Sequence, residues 1–514
     1  MKKLLFIFII AQTLLFSSCN DWLDILPNNE QVTADYWKAK EEVEAVLASG
    51  YYYMRQATPF IIDWGELRGA SIYAFNQSEK GKLQDFQLIA SSSLCRWDVF
   101  YRVINMANSV ITYAPEVQSI DDTYSVEAMR SHQTEAYFLR ALSYFYLVRN
   151  FKEAPLILQS YVDDSAPFSI AKSTEEEIIS QIKLDITTAL DFNAAKEVYD
   201  DNHWAGANKG RVTRWALYAL MADVCLWSGD YDGTITYADY LIQSTSPWRP
   251  AFMTTPEHWF RIFNPGNSNE SIFELNWDYP TYNQTSNSPS NYFTIAENAQ
   301  YQFSPAMAER LTGEANMLVE NGIDPIRSLW GAYVPFGEVN SENTVYCIWK
   351  YRGTEIRNLD AVRLQSDANL IIYRMADVML MKAEALIWKG QAGWSEALEI
   401  INQVRNRSNL DNLEIVLSET SELEMLEILL NERDLEFAAE GKRWYDLVRF
   451  GKSNNYRYKD EFINYIGDNN STANNSWLRS VLKNNYAWFL PISDGELETN
   501  ELLIQNPYYD VTKK

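Results

Sequence analysis

One pattern occurs twice in this chain of 514 residues, and it restricts the fold more than any other feature. From Met221 the chain reads MADVCLWSGDYDGTITYADYLI, and from Met381 it reads MKAEALIWKGQAGWSEALEIINQV. In each, a small residue (Ala222, Ala383) precedes a glycine (Gly229, Gly390) by seven positions. An aromatic residue follows (Tyr231, Trp394), and a second amphipathic stretch begins. The small residue lets two helices approach, the glycine ends the first, and the ring fills the corner. Two helical hairpins are therefore expected.

Other segments share the helical period. In Thr134–Arg149, Phe138, Ala141, Leu142 and Phe145 fall at i, i+3, i+4 and i+7. Ser173-Thr174 followed by Glu175–Glu177 is a helix start, with acids in the positive first turn. Arg211–Ser228 is apolar on nearly every face and predicts a helix buried on several sides. Ile372, Met375, Ala376, Met379 and Ala383 form a further stripe. The doubled pattern resembles degenerate tetratricopeptide (TPR) units, with Thr234 where such repeats usually have Ala.

Between these units the texture changes. Pro247–Asn369 is rich in Pro, Asn, Ser, Gly and aromatic residues and has few helical stripes, and Asn283–Asn291 (NQTSNSPSN) is a loop. Pro59–Asp85 has the same character. A long irregular stretch in a compact protein is usually functional. The chain is thus read as mainly α, a TPR-like helical-hairpin scaffold with long irregular loops and little β. The scaffold is expected over 36–56, 95–246 and 368–408. Irregular ligand-side segments are expected over 57–94 and 247–367, with a C-terminal segment over 409–514.

Charge and cysteine usage remove several function classes. The formal net charge of −25 repels phosphate backbones, so no nucleic-acid partner is expected, and it opposes a polybasic grip on anionic lipid. Cys95, Cys225 and Cys347 are scattered, an odd number that argues against a disulfide framework. The histidines, His132, His203 and His258, form no metal-binding spacing, and no GxGxxG or GxSxG occurs. Neither a metal nor a cofactor is expected. Aromatics make up 14% of the chain, with 17 Trp and 32 Tyr, and such a surplus points to a recognition surface.

The N-terminus addresses the chain. Lys2 and Lys3 precede an apolar run, Leu4–Phe16, interrupted by Gln12 and Thr13. That run reaches about 20 Å, short of the ~30 Å hydrocarbon core, so residues 1–18 read as a signal peptide. Ser17-Ser18-Cys19 then resembles a bacterial lipobox, with Phe16 where Leu is usual, and makes Cys19 the acylated residue. The alternative is an ordinary secretory signal cleaved near Ser18. Residues 19–514 are read as one domain, held to a membrane by lipid alone.

Several segments, in order, resemble the SusD/RagB family. Trp22-Leu23-Asp24 with Pro27 is similar to its opening after the lipid cysteine. Trp97, Tyr101, Ile104 and Asn108 match its W-x3-Y-x2-I-x3-N helix. Arg140-Ala141, Pro155-Leu156, Arg374–Val378 and Ala383–Ala385 match further stretches. The most specific is Asn431-Glu432-Arg433, Glu436, Glu440-Gly441, Arg443-Trp444, Asp446-Leu447 and Arg449. Leu490–Ile492, Glu496, Asn500 and Gln505–Pro507 complete the tail, which departs from the family at Glu501 (commonly Pro) and Tyr508 (commonly Gly). The resemblance implies a non-enzymatic outer-membrane lipoprotein, exposed at the cell surface, that captures a glycan (a peptide in some members) for a SusC-like TonB-dependent transporter. The helical-repeat side is expected to face the transporter, and the irregular segments the ligand.

The resemblance carries over no ligand contacts, because these vary between members. Sugars offer C–H faces that stack on aromatic rings and hydroxyls that seek amides, acids and arginine. The best local mixtures are Asp63, Trp64, Arg68 and Asn76; Trp277, Tyr279, Tyr282 and Tyr292; and Trp330, with Trp97 equally suited to core or site floor. Arg433, Glu436, Glu440, Arg443 and Asp446 invite a catalytic reading, but interleaved arginines and carboxylates on helices usually form a structural ion network. Two other functions compete: a glycoside hydrolase of α/α architecture, which needs two carboxylates across a cleft, and a pure protein-docking scaffold.

Overall fold

The computed structural model describes residues 36–74, 79–161, 167–199, 207–337, 344–470 and 474–510. The signal peptide, Cys19, Trp22–Pro27 and Asn76 lie outside the described residues. Helices of eight or more residues are α1 (Lys40–Gln56), α2 (Thr58–Glu66), α3 (Asp98–Ile120), α4 (Val126–Phe151), α5 (Glu175–Asp191), α6 (Arg214–Trp227), α7 (Tyr231–Ile242), α8 (Pro305–Glu320), α9 (Met375–Trp388), α10 (Trp394–Arg407), α11 (Glu422–Glu436), α12 (Arg443–Tyr456, kinked at Ser453–Asn455), α13 (Lys459–Asn469) and α14 (Asn475–Leu482). The protein is mainly helical with short strands.

The scaffold is a chain of antiparallel contacts: α1 on α3, α3 on α4, α4 on α5, α6 on α7, α7 on α9, and α9 on α10. Both hairpins form as expected. Gly229 (φ +76°) and Gly390 (φ +104°) take the left-handed region that ends a helix. The Trp394 indole donates to the Ile387 carbonyl at 3.1 Å and closes its own corner. Tyr231 instead stacks on Trp388 of the second hairpin, with ring centroids 6.1 Å apart, and so joins the two units. Thr234, where a repeat would have Ala, is buried and donates to the Ala222 and Asp230 carbonyls, which satisfies its hydroxyl at the helix crossing. At the start of α5, Thr174 and Glu177 cap each other reciprocally.

α4 departs from the amphipathic expectation. Its residues are buried almost without break from Ser131 to Phe151, so it is the spine of the molecule, covered on all sides.

The irregular segments hold more regular structure than their composition suggests. α2 lies inside 57–94 and is buried along nearly its whole length. α8 lies inside 247–367, capped by Ser304. The strands are β1 (Ile72–Ala74), β2 (Ala154–Pro155), β3 (Lys172–Ser173), β4 (Ser271–Leu275), β5 (Tyr301–Phe303), β6 (Tyr333–Phe336), β7 (Val345–Ile348) and β8 (Leu370–Arg374). β1, β5, β7 and β6 form one antiparallel sheet in that order, with Ile72 opposite Phe303 and Gln302 opposite Cys347. This sheet stitches the two irregular segments together. β4 pairs with β8 through a bulged register, and β2 with β3.

The C-terminal segment locks the scaffold to α2. A Cβ at Gly65 would meet the Gly441 carbonyl oxygen at 2.0 Å, and Gly441 itself has φ +75°. Glycine is thus required on both sides of this backbone contact. The Glu66 carboxylate accepts the Gly441 N–H at 2.5 Å across it. Cys95, Cys225 and Cys347 are buried free thiols.

Candidate functional site

The charged helix motif is internal. Arg433 donates to Asp446 and to Asp377, both at 2.9 Å. Glu436 receives Arg374 at 2.6 Å and also Arg407. Glu440 receives Arg374 at 2.9 Å and the Lys350 ammonium at 3.0 Å. Arg443 bonds the Leu430 carbonyl and the Tyr465 hydroxyl. The charged side chains among these are at most 3% exposed. Burial raises the cost of charge, but Lys442 and Arg433 outweigh it and hold Asp377 down to about 2, and Arg407 and Arg374 hold Glu436 well below the usual carboxylate range. Carboxylates locked in this way stay ionised and out of contact with any substrate.

Three aromatic and polar residues expected at the ligand prove to be core. Trp64 is 0% exposed, stacks on Phe100 and donates its indole N–H to the Leu94 carbonyl. Arg68 lies 4.4 Å over the Trp444 ring and bonds Asn150 and the Trp488 carbonyl. Asp63 is the buried counter-ion of Lys80 and accepts the Tyr301 hydroxyl. They belong to α2 and the turn after it, whose apolar faces leave no side toward solvent. Beside them, Tyr292 is half-buried, with the Lys80 ammonium 5.4 Å from its ring. Half-buried Trp330 sits edge-on to Trp349.

Two clefts flank the C-terminal half of α1, where three tyrosines run in succession. Successive helical residues turn by about 100°, so Tyr51, Tyr52 and Tyr53 cannot share one face. Tyr53 opens into a cleft of about 440 Å³ with Trp97, Tyr101, Arg102, Tyr161, Phe168 and Glu496. Trp97 is buried there, edge-on to Phe151 and Tyr101, and presents little of its ring. Arg102 reaches Asp98 at 3.4 Å and shares it with Arg96 at 3.1 Å.

Tyr51 and Tyr52 open into the other cleft, of about 460 Å³, together with Glu44, Arg55, Arg211, Glu274, Asn276 and Gln284. Its floor is preorganised by Glu135 of α4, fully buried, which accepts Tyr51 at 2.5 Å and Arg211 at 2.6 Å. Tyr52 is 49% exposed and offers a ring face. Arg55 donates Nη1 to the Asn276 carbonyl at 3.1 Å and to Gln284 Oε1. The loop that supplies Asn276 and Gln284 is stiffened by Trp277, which is buried, donates its backbone N–H to the Asn369 amide oxygen, and donates its indole N–H to the Ser286 carbonyl. Trp277 therefore builds the wall and does not face a ligand. Tyr279 is half-buried and Tyr282 57% exposed, on a turn capped by Asp278 farther along the same loop. Sequence reasoning found the loop but missed Tyr52, Arg55 and Gln284. The Tyr51–Tyr53 run was the available signal.

A helical-hairpin scaffold carrying a stitched loop face, with an aromatic cleft where the two meet, has the build of a binding protein. The chain belongs to the SusD/RagB family, which is SusD-like and carbohydrate-binding. A sequence profile described as "SusD family" matches residues 336–509, and one described as "Starch-binding associating with outer membrane" matches residues 21–226. A SusD-like protein of Formosa agariphila is 26% identical over 497 residues, 88% of this chain and 92% of the relative. One of Bacteroides ovatus is 26% identical over 91% of this chain and 84% of the relative. Among solved structures, a SusD superfamily protein of Bacteroides thetaiotaomicron superposes with a TM-score of 0.72 at 21% identity, covering 92% of this chain and 99% of the other. A structure described as a laminarin-binding SusD-like protein superposes at 0.65 with 21% identity, covering 92% and 100%.

Proposed function

We propose that this chain is a cell-surface lipoprotein that captures an oligo- or polysaccharide and passes it intact to a SusC-like TonB-dependent outer-membrane transporter. The observation that carries the reading is the cleft at α1, where an exposed tyrosine face stands beside arginine, amide and carboxylate groups held in place by buried partners. Such a mixture suits the C–H faces and hydroxyls of a sugar. Family membership supports the ligand class, and the outer-membrane association in the family's description supports the location. Acylation at Cys19 supplies the anchor. Among the described residues no helix is long and apolar enough to cross a membrane. The TPR-like face is the side offered to the transporter. Tyr282, Tyr279, Tyr292 and Trp330 extend the ligand face beyond the cleft, on the loops joined by the sheet. A hydrolase would need an accessible carboxylate pair, and Glu436 and Glu440 lack that access.

Calorimetry of the mature protein against a polysaccharide panel tests the reading. Saturable binding without release of new reducing ends is expected. Sustained release of reducing ends would identify an enzyme instead, and binding to no saccharide would remove the proposal. Loss of lipid labelling in Cys19→Ala is the parallel check on the anchor.

A further inference from the structure

Arg55 has no anion. Its Nη1 is committed to the Asn276 carbonyl and Gln284, both uncharged acceptors. Among the described residues no carboxylate oxygen comes within 4.0 Å of its guanidinium, and the Tyr52 ring lies 6.0 Å from it. Burial works against its charge and lowers its pKa. The last turn of α1 gives a cation some help through the helix dipole. The dipole does not explain why the guanidinium is turned onto the cleft wall and fixed there along one edge.

The carboxylates that line the same cleft stand elsewhere. Glu44 is eleven residues back along α1, about 16 Å by helical rise. It lies 3.8 Å from the His132 imidazole. Glu274 is fully buried and spends its oxygens on the Asn267 N–H and the Asn369 amide. The cleft is thus polarised, with open guanidinium donors at the Tyr52 end. Across α1 the other cleft shows the contrast, since Arg102 already has Asp98.

Resting on the glycan-binding reading above, we propose that this cleft selects an anionic saccharide, with the Arg55 guanidinium taking a uronate carboxylate or a sulfate ester while Tyr52 stacks on the ring that carries it. A planar fork with one edge pinned presents its remaining N–H groups to two oxygens of an anion, which an ammonium cannot imitate.

The test is calorimetry on the mature protein with oligouronates of galacturonic, mannuronic and guluronic acid, with sulfated galactan oligosaccharides, and with their carboxyl-reduced or desulfated counterparts. The expected result is binding of one anionic series that weakens about 10- to 100-fold on neutralising the sugar, and by a similar factor in Arg55→Gln. Arg55→Lys should recover only part of the loss. Binding should weaken with added salt. If Arg55→Gln lowers the melting temperature, the salt titration and the neutralised sugars on the unaltered protein still decide. Preference for the uronate or the sulfated series identifies the anion. Equal affinity for charged and neutral forms overturns this inference and leaves glycan capture standing. Silence across this series while a neutral polysaccharide binds overturns this inference alone, and silence toward neutral polysaccharides as well overturns both.

Discussion

Arginine is used in two opposite ways in this molecule. Beneath the Glu432–Arg449 motif the guanidiniums are completed from within: Arg327, Arg374, Arg407, Arg433 and Arg449 each meet carboxylates of the chain itself, out of reach of water. At the end of α1, Arg55 is only half buried and, among the described residues, left without one. A desolvated charge must be paired or it destabilises the fold, so the interior pairs its own. A partly exposed one at a cleft survives unpaired at modest cost and waits for a ligand. On the proposal above, the same side chain reports structure in one place and recognition in the other, and its partners tell which.

The comparison breaks if the interior network proves dispensable. Arg374 bonds Glu270, Glu436 and Glu440 together, so Arg374→Ala takes a shared cation from three buried carboxylates and leaves Glu270 and Glu436 to Arg407 and Glu440 to Lys350. It should cost about 3–5 kcal/mol, read by denaturant unfolding, and Arg433→Ala should be nearly as severe. A loss under 1 kcal/mol in both would mean that the network contributes little to stability.

Glu66 sharpens the point from the acid side. It is buried in the seam between α2 and Gly441, and burial pushes its carboxyl up to about 8 even though the Gly441 N–H pulls it down. With a folded value above the ordinary 4.5, the bound proton favours the fold. That contribution is complete below about pH 4.5 and fades as the pH rises through about 8. Glu66→Gln keeps an acceptor for Gly441 and removes the titration. Its melting temperature should gain on the unaltered protein from pH 6 to 9, by the equivalent of a few kcal/mol at most. Parallel pH profiles would contradict the assignment.

How far the sequence could be read follows the same division. The hairpins were legible because Ala222, Gly229, Ala383 and Gly390 meet steric demands that few other residues meet. The motif helices were legible as structure because their charges alternate in sign. α2 was not, because TPFIIDWGE followed by Leu-Arg has the composition of a sugar platform, and Trp–Arg stacking serves core and ligand alike. This stretch is enclosed by residues far along the chain, Gly441 against Gly65 and 301–303 against 72–74, and no local pattern encodes those contacts. α8 was hidden because its Pro305 start reads as loop in Pro- and Asn-rich surroundings.

Two smaller effects decide on which side of α1 the ligand lies. Tyr52 is half exposed and carries no core load, so Tyr52→Ala should leave stability within about 0.5 kcal/mol. It should weaken glycan binding by about 1–2 kcal/mol, the worth of a ring face. Arg102, across the helix, has a largely exposed side chain already engaged by Asp98, so Arg102→Gln should change neither stability nor affinity by more than about 0.5 kcal/mol. The pair of variants works as a switch, because Tyr53 and Arg102 share the Trp97 cleft while Tyr52 and Arg55 share the other. If Arg102→Gln loses glycan and Tyr52→Ala does not, the ligand sits against Trp97 and Phe168. The open guanidinium of Arg55 would then serve α1 alone. The ranking expected here is the reverse, because a guanidinium already holding a carboxylate must give it up before it can bind another.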